Sequence, residues 1–379
     1  MPIKNVLIVA GEASGDMHGA KMVQAIKSID HEVHFWGIGG PRMREAGVNT
    51  VFDAGRLAVV GISEVLTHIR QIIHAQNLMR SLMEEKKPDL LILIDYPDFN
   101  LLLAGRAKKL NLPVLYFISP QVWAWRAGRV NKIKELVKRM IVILPFEVEF
   151  YRRYDVKVDF VGHPLLDIVK PKMTPEEFRE EFGLDSNMPV IGLFPGSRTQ
   201  EVKRLLPCII DAARILDRKM PGLRFLLPLA PAIDKTWVKG ILQSEKLDIR
   251  ILDGYAYEAM SVSRAIIAAS GTVTLEAAII GVPMVIVYKV SNLSYLVGKL
   301  LVDVPHIGLV NLVAGERIVP ELVQGEARGE RIAEEIYRIS TDLEYETAIK
   351  RGLAAVQKNL GAPGASIRAA MIACEMLRD

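Results

Sequence analysis

The chain has only two cysteines, Cys208 and Cys374. That is too few for the disulfide framework of a small secreted domain, and a reducing cytoplasm fits best. Charge of one sign is also scarce, since 48 Lys+Arg against 44 Asp+Glu leave a net charge of +4. So small an excess does not argue for nucleic acid, although it suits an anionic membrane surface or phosphate ligands. No basic stripe with interleaved aromatics points to nucleic acid either. Long apolar runs are missing. The longest, 140–146 and 282–288, each contain a proline and fall far short of the roughly 20 residues a spanning helix needs. The apolar run at 6–10 meets Glu12 and Asp16 at once, which argues against a signal peptide. There is no Walker A loop, no C-x-x-C and no H-E-x-x-H, His31-Glu32-Val33-His34 being too short. His31, His68 and His74 read as surface residues rather than ligands. Low-complexity tracts and short repeats are absent as well.

What remains is a globular mix, 50% apolar and 24% charged over 379 residues, long enough at roughly 150 residues per domain for two large domains. The mean hydropathy of +0.21 is high for a cytosolic enzyme. Short β-branched runs account for most of it. Those at 6–10, 33–37, 90–94, 114–118, 140–144 and 158–161 alternate with helical patterns, and a glycine loop is expected after 37. Near-continuous apolar strands of this kind read as parallel β buried on both faces, in a doubly wound α/β domain. A charged linker follows, in which Thr174, Pro175 and Glu177 form a strong helix start. Strands are then expected again at 190–194, 223–227, 249–252, 265–269 and 285–287. After Gly325 the pattern is helical, 327–359 and 365–377. Two Rossmann-like domains in tandem would place a cleft between them.

The motifs fall where such strands end. Gly11-Glu12-Ala13-Ser14-Gly15-Asp16 lies between the first strand and a helix, where small residues admit a ligand and the helix end attracts phosphate. A tight turn capped by Ser14 or Asp16 fits the same spacing. Gly37-Ile38-Gly39-Gly40-Pro41-Arg42 fails the dinucleotide fingerprint because Arg42 holds the third glycine position. Asp95-Tyr96-Pro97-Asp98-Phe99-Asn100 closes a strand with two carboxylates. Asp95 suits a general base, while Asp98 or Asn100 suits a helix cap. Metal is the weaker reading, because no histidine joins the pair locally. Ser119-Pro120-Gln121-Val122-Trp123-Ala124-Trp125-Arg126 places two of the four tryptophans in a loop, either as a sugar or acyl contact or as a core plug. Pro195-Gly196-Ser197-Arg198 brings a glycine, a hydroxyl, a helix amino end and a guanidinium to a place a diphosphate would fit. Ser270-Gly271-Thr272 opens another helix, with Glu276 positioned for ribose hydroxyls or simply for the helix dipole. Finally, Val59, Val60, Ile62, Val65, Leu66, Ile69, Ile72 and Ile73 recur at helical spacing beside Arg70 and Arg80. They form either core or a surface that dips into a membrane.

Taken as a set, these motifs resemble the lipid-A-disaccharide synthase family. Gly40-Pro41-Arg42-Met43, Gly162-His163 and Asn311-Leu312-Val313-Ala314-Gly315 add to the match, whose order and spacing cover nearly the whole chain. One departure is Val310, where many members carry proline. The resemblance implies an inverting glycosyltransferase of GT-B fold: an acceptor and lipid domain over 1–170, a UDP-sugar domain over 171–355, and a final helix in 356–379 that packs back on the first. It implies transfer from UDP-2,3-diacylglucosamine to the 6-hydroxyl of 2,3-diacylglucosamine 1-phosphate (lipid X), giving the β-1,6-linked disaccharide 1-phosphate and UDP. Asp95 matches the family's essential aspartate and Arg198 its important arginine. Gly11, Glu12, Ser14, Gly15, Asp98, Gly196, Ser197, Ser270, Gly271, Thr272, Glu276 and Asn311 are the expected substrate contacts. Neither metal nor cofactor is expected. The implied place is the cytoplasmic face of the Gram-negative inner membrane, with peripheral attachment through 59–73, and a homodimer is compatible with it. Two rivals compete: a UDP-N-acetylglucosamine 2-epimerase, which would have no use for an apolar surface helix, and a non-catalytic lipid or nucleotide binder.

Overall fold

The computed structural model describes residues 3–57, 65–124, 128–185, 188–291, 295–296, 298 and 304–378. They form two compact units, one of 1–164 with 361–379 and one of 165–360, so the division falls at 164/165 and 360/361 where 170/171 and 355/356 were expected. The first unit carries β1 (Lys4–Ala10), β2 (Val33–Gly39), β3 (Val48–Asp53), β4 (Leu90–Ile94), β5 (Val114–Phe117), β6 (Arg139–Val142) and β7 (Val158–Phe160). Its sheet runs β3-β2-β1-β4-β5-β6-β7, every pair parallel. Helices α1 (Ala13–Ile29), α2 (Pro41–Glu45), α3 (Val65–Lys86), α4 (Pro97–Lys109), α5 (Arg129–Leu136) and α6 (Pro145–Arg152) connect the strands. The strands are apolar throughout because both faces are covered. Val6, Ile8 and Ala10 join α1 in one core, whereas Leu7 and Val9 join α4 in the other.

The second unit repeats the plan with β8 (Val190–Phe194), β9 (Arg224–Leu229), β10 (Ile249–Asp253), β11 (Ala265–Ala269), β12 (Met284–Tyr288) and β13 (Glu321–Val323), in the order β10-β9-β8-β11-β12-β13 and again all parallel. Its helices are α7 (Leu165–Ile168), α8 (Pro175–Glu181), α9 (Thr199–Lys219), α10 (Lys235–Leu242), α11 (Ala256–Val262), α12 (Val273–Ile280), α13 (Leu309–Ala314), α14 (Gly329–Thr341) and α15 (Leu343–Asn359). The Thr174–Glu177 capping box forms at the start of α8. The last helix, α16 (Ala365–Arg378), belongs to the first unit and packs on α1.

Three local expectations need correction. β2 continues through Gly39 instead of ending in a loop at Gly37, where a Cβ would lie 1.8 Å from the Ile8 carbonyl oxygen, so only glycine lets β1 and β2 run so close. The expected helix 327–359 is two helices, broken at Asp342, whose carboxylate caps α15 by accepting the Tyr345 N–H at 3.0 Å. Edge strands β3 and β13 were not expected at all.

Candidate active site

In an open parallel sheet, ligands bind beyond the carboxyl ends of the strands at the point where strand order reverses. That point lies between β1 and β4 in the first unit, and between β8 and β11 in the second. The four motifs singled out above emerge there: 11–16 after β1, 95–100 after β4, 195–198 after β8 and 270–276 after β11. Four helices start at these ends, namely α1, α4, α9 and α12, and none has a side-chain cap. In α12 the Thr274 and Leu275 amides already donate to Gly271 O (3.2 Å) and Thr272 O (2.9 Å), and α4 starts on Pro97, which has no N–H, so it is the amino ends of α1 and α9 that are left for water or an anionic ligand.

At the first point the β4 ladder persists to Asp95, whose N–H donates to Phe117 O at 3.2 Å. The backbone then turns abruptly. Asp95 and Tyr96 both have φ of +47°, a left-handed conformation costing about 1–3 kcal/mol per non-glycine residue. The Tyr96 ring lies over Gly11, where a Cβ would come within 2.4 Å of it, and its hydroxyl donates to Leu57 O at 3.1 Å. The Asp95 carbonyl accepts Tyr116 Oη at 2.5 Å and Asn100 Nδ2 at 2.6 Å. Its carboxyl group is pushed up to about 6, first by burial and then by the neighbouring Glu12 carboxylate, against a hydrogen bond from the Tyr96 N–H. Such a group is ionised at neutral pH and still basic enough to take a proton, the poise a general base needs. Glu12 and Ser14 are exposed, and Gly15 is buried against Ala10. Neither Ser14 nor Asp16 caps α1. The Asp16 carboxylate instead accepts the N–H groups of Gly40 (2.6 Å), Arg42 (3.1 Å) and Met43 (3.1 Å) and so fixes the start of α2. Close by, burial pushes His18 and His163 each down to about 4, so both are neutral at pH 7.

At the second point Gly196 has φ of +113°, and a Cβ there would fall 2.0 Å from Glu201 Oε2. That same carboxylate accepts the Ser197 N–H at 3.2 Å. One amide of the loop leading into α9 therefore has an internal partner, in Glu201, a residue the sequence did not single out. The side chains of Ser197 and Arg198 are exposed. Ser270 Oγ donates to Ile307 O at 2.9 Å, Thr272 is exposed, and the space around Gly271 is open. Glu276 is half-buried in the first turn of α12, and burial alone pushes its carboxyl up to about 7. Among the described residues no hydrogen bond or ion pair engages it. No group of three or more His, Cys, Asp or Glu among the described residues is placed to hold a metal ion.

A family model described as lipid-A-disaccharide synthetase matches residues 6–360. The lipid-A-disaccharide synthase of Geobacter sulfurreducens is 52% identical over 372 residues, 98% of this chain and 97% of that one. The chain belongs to the lipid-A-disaccharide synthase family. The synthase of Syntrophus aciditrophicus is 48% identical over 379 residues, covering 100% of this chain and 99% of its own. At the level of fold, the calicheamicin glycosyltransferase CalG4 has a TM-score of 0.66 at 15% identity, covering 100% of this chain and 99% of that one. A UDP-GlcNAc 2-epimerase from Neisseria meningitidis, bound to UDP-GlcNAc, has 0.61 at 15% identity with 100% of both chains covered. The fold is the GT-B pair of parallel-sheet domains, and the chain is a glycosyltransferase of lipid A disaccharide synthesis.

Within this family frame the remaining motif residues divide. Asp98 is exposed and pairs with Arg129 at the start of α5. Asn100 does not cap α4 but ties down the end of β4, donating to Ile94 O at 3.2 Å as well as to Asp95 O. Asn311 is fully buried, and its amide is used up. Nδ2 donates to Val319 O (3.0 Å) and Glu321 Oε1 (2.7 Å), while Oδ1 accepts the N–H groups of Ile318 (2.9 Å) and Val319 (3.1 Å). It braces a turn and keeps no polar atom for a ligand, which corrects the expected substrate contact. Trp123 is half-buried, stacks edge-on against Phe146 at 4.8 Å and donates to Glu147 at 3.2 Å, an arrangement that favours the plug over an open contact. Trp125 and Arg126 lie outside the described residues, as does the stretch 58–64. Beyond it, Ile69 and Ile73 of α3 are 44% and 53% exposed, while Ile72 packs on the core. No helix among the described residues is long and apolar enough to cross a membrane.

Proposed function

We propose that the chain transfers 2,3-diacylglucosamine from its UDP donor to the 6-hydroxyl of 2,3-diacylglucosamine 1-phosphate, with inversion at the anomeric carbon. The observation that carries this reading is the half-buried Asp95 carboxylate at the first unit's switch point, tuned to about 6. Asp95 takes the proton from the acceptor hydroxyl as its oxygen bonds to the anomeric carbon. The bond from that carbon to the diphosphate breaks, and its electron pair leaves with UDP. Arg198 and the uncapped amino end of α9 offset the charge that develops there, as preorganised donors do. The unengaged Glu276 receives the ribose hydroxyls. Gly11, Gly15, Gly196 and Gly271 keep the backbone low enough for a sugar or phosphate to approach, and Glu12, Ser14, Ser197, Ser270 and Thr272 line the approach.

A catalyst of this kind works on acylated substrates that reside in a bilayer. We assign it to the cytoplasmic face of the inner membrane, attached peripherally through 59–73, where the exposed Ile69 and Ile73 belong to one helix face. The deciding assay supplies UDP-2,3-diacylglucosamine and lipid X and looks for disaccharide 1-phosphate and UDP. An epimerase would convert its substrate without acceptor, and a binding protein would release no UDP. Asp95→Asn is expected to lower turnover by about 10²–10⁴-fold while UDP still binds. Near-normal turnover in that variant would remove Asp95 from the role of base.

A further inference from the structure

Three features around Asp95 are each unfavourable on their own. Asp95 and Tyr96 are consecutive non-glycine residues in the left-handed region, both at φ +47°. Tyrosine is a poor occupant of that conformation, since only Gly, Asn and Asp visit it routinely. The Asn100 side chain is fully buried, yet its Oδ1 has no hydrogen-bond partner among the described residues. A buried orphan of that kind calls for a reason. The fully buried hydroxyl of Tyr116, in the middle of β5, is spent on the Asp95 backbone oxygen and the Asn100 side chain beside it.

All three converge on one atom. Tyr116 Oη and Asn100 Nδ2 both donate to the carbonyl oxygen of Asp95, at 2.5 and 2.6 Å. Asn100 reaches it only by turning its amide nitrogen toward the strand end, where it also meets Ile94 O at 3.2 Å, and this leaves Oδ1 unpaired. Two short bonds to one carbonyl fix the peptide plane after Asp95, and with it the dihedral angles that set the direction of the Asp95 Cα–Cβ bond. Neither donor's bond to this carbonyl is part of the regular β4–β5 ladder, which the backbone already completes.

We infer that Tyr116 and Asn100 are positioning residues that clamp the Asp95 carbonyl and thereby hold the Asp95 carboxylate in the orientation needed for proton abstraction. The inference rests on Asp95 acting as the base. Tyr116 and Asn100 do not touch substrate; they act through the strained turn, which would otherwise relax toward extended backbone. Substrate affinity is then expected to survive their loss, while the chemical step is not.

The test compares Tyr116→Phe, which removes one oxygen atom, and Asn100→Ala with wild type and with Asp95→Asn. Each is measured for kcat and KM of both substrates, for the pH profile of kcat/KM, and for thermal unfolding. The clamp requires kcat to fall about tenfold or more in both variants, KM to stay within about twofold, and the acidic limb of the profile to move. Wild-type kcat and pH profile in a folded Tyr116→Phe would overturn it, and so would loss of cooperative unfolding, because either result leaves the hydroxyl with no role or only a structural one. The parallel Asp95→Asn measurement separates the two failures. If Asp95→Asn stays active, the base assignment has failed. If it is inactive while Tyr116→Phe and Asn100→Ala behave as wild type, the clamp alone has failed.

Discussion

Asp95 and Glu276 are carboxylates that burial makes harder to ionise, and their different surroundings predict different behaviour. Asp95 is raised to about 6, and a base must be deprotonated to work. The kcat/KM profile is therefore expected to fall as pH drops through about 6, and that limb should vanish from the residual rate of Asp95→Asn. A profile flat down to pH 5 would contradict it. Glu276 is raised to about 7 by desolvation, with no described partner to offset the cost. The sign follows from linkage: a carboxyl whose folded-state value is raised binds its proton more tightly when folded. Its stabilising contribution is complete below the unfolded value and is lost as pH rises through about 7. Glu276→Gln has no such loss. Melting curves at pH 5 and pH 8 should show the variant gaining on wild type at the higher pH. UDP titration should show weaker binding, a trade of function against stability common at ligand sites. A variant that tracks wild type at both pH values would show Glu276 to be paired.

At the scale of elements, legibility followed range and burial. Interior strands such as β4, with Leu90 to Ile94 all at 0% exposure, show as unbroken apolar runs. The edge strand β3 buries only Val48 and Phe52, so its run is interrupted by Asn49, Thr50 and Asp53. Local capping was equally legible, as at Thr174 and Glu177. Asp16 was not, because the amides it holds lie 24 to 27 residues away. The same reason hid the brace at α13, where Asn311 meets Val319 and Glu321 and Glu321 also accepts the N–H groups of Ile307 and Gly308 at 3.0 Å. The motifs do fall at strand ends where strand order reverses, but they did not tell which polar groups were already satisfied internally. That distinction gives a prediction for Asn311. Asn311→Ala takes the partner from the buried Val319 N–H and from the Val319 carbonyl oxygen, at a cost of about 1–3 kcal/mol each. For a unit of this size a kilocalorie lowers Tm by about 2–4 °C, so a fall of about 5 °C or more is expected in calorimetry. A residue whose business was substrate contact would leave Tm unchanged.

The whole molecule folds from a chain whose two units are unequal in continuity. The unit 165–360 is one uninterrupted segment, whereas the other joins 1–164 to 361–379. Helix α16 is no mere appendage to that unit. Ala365, Ala369, Ala370, Ala373, Cys374, Met376 and Leu377 are buried with α1 and the β1–β4 face in one core, and the Arg368 guanidinium donates to Val161 O at 2.9 and 2.6 Å. Burying a methionine or leucine contributes about 1.5–3 kcal/mol, so the alanine-rich face together with these two side chains is worth on the order of 5 kcal/mol or more. A domain has only about 5–15 kcal/mol of net stability, and loss of α16 removes from about a third to all of it. A fragment of 165–360 is accordingly expected to unfold cooperatively and to bind UDP by itself. A fragment of 1–164 is expected to give no cooperative transition until a peptide of 361–379 is added, after which circular dichroism melting should recover. Cooperative melting of 1–164 alone at the full chain's Tm would show that α16 covers the core without completing it. If the peptide is required, the unit that carries Asp95 can finish folding only after 361–379 has been made, and the unit of 165–360 is native first.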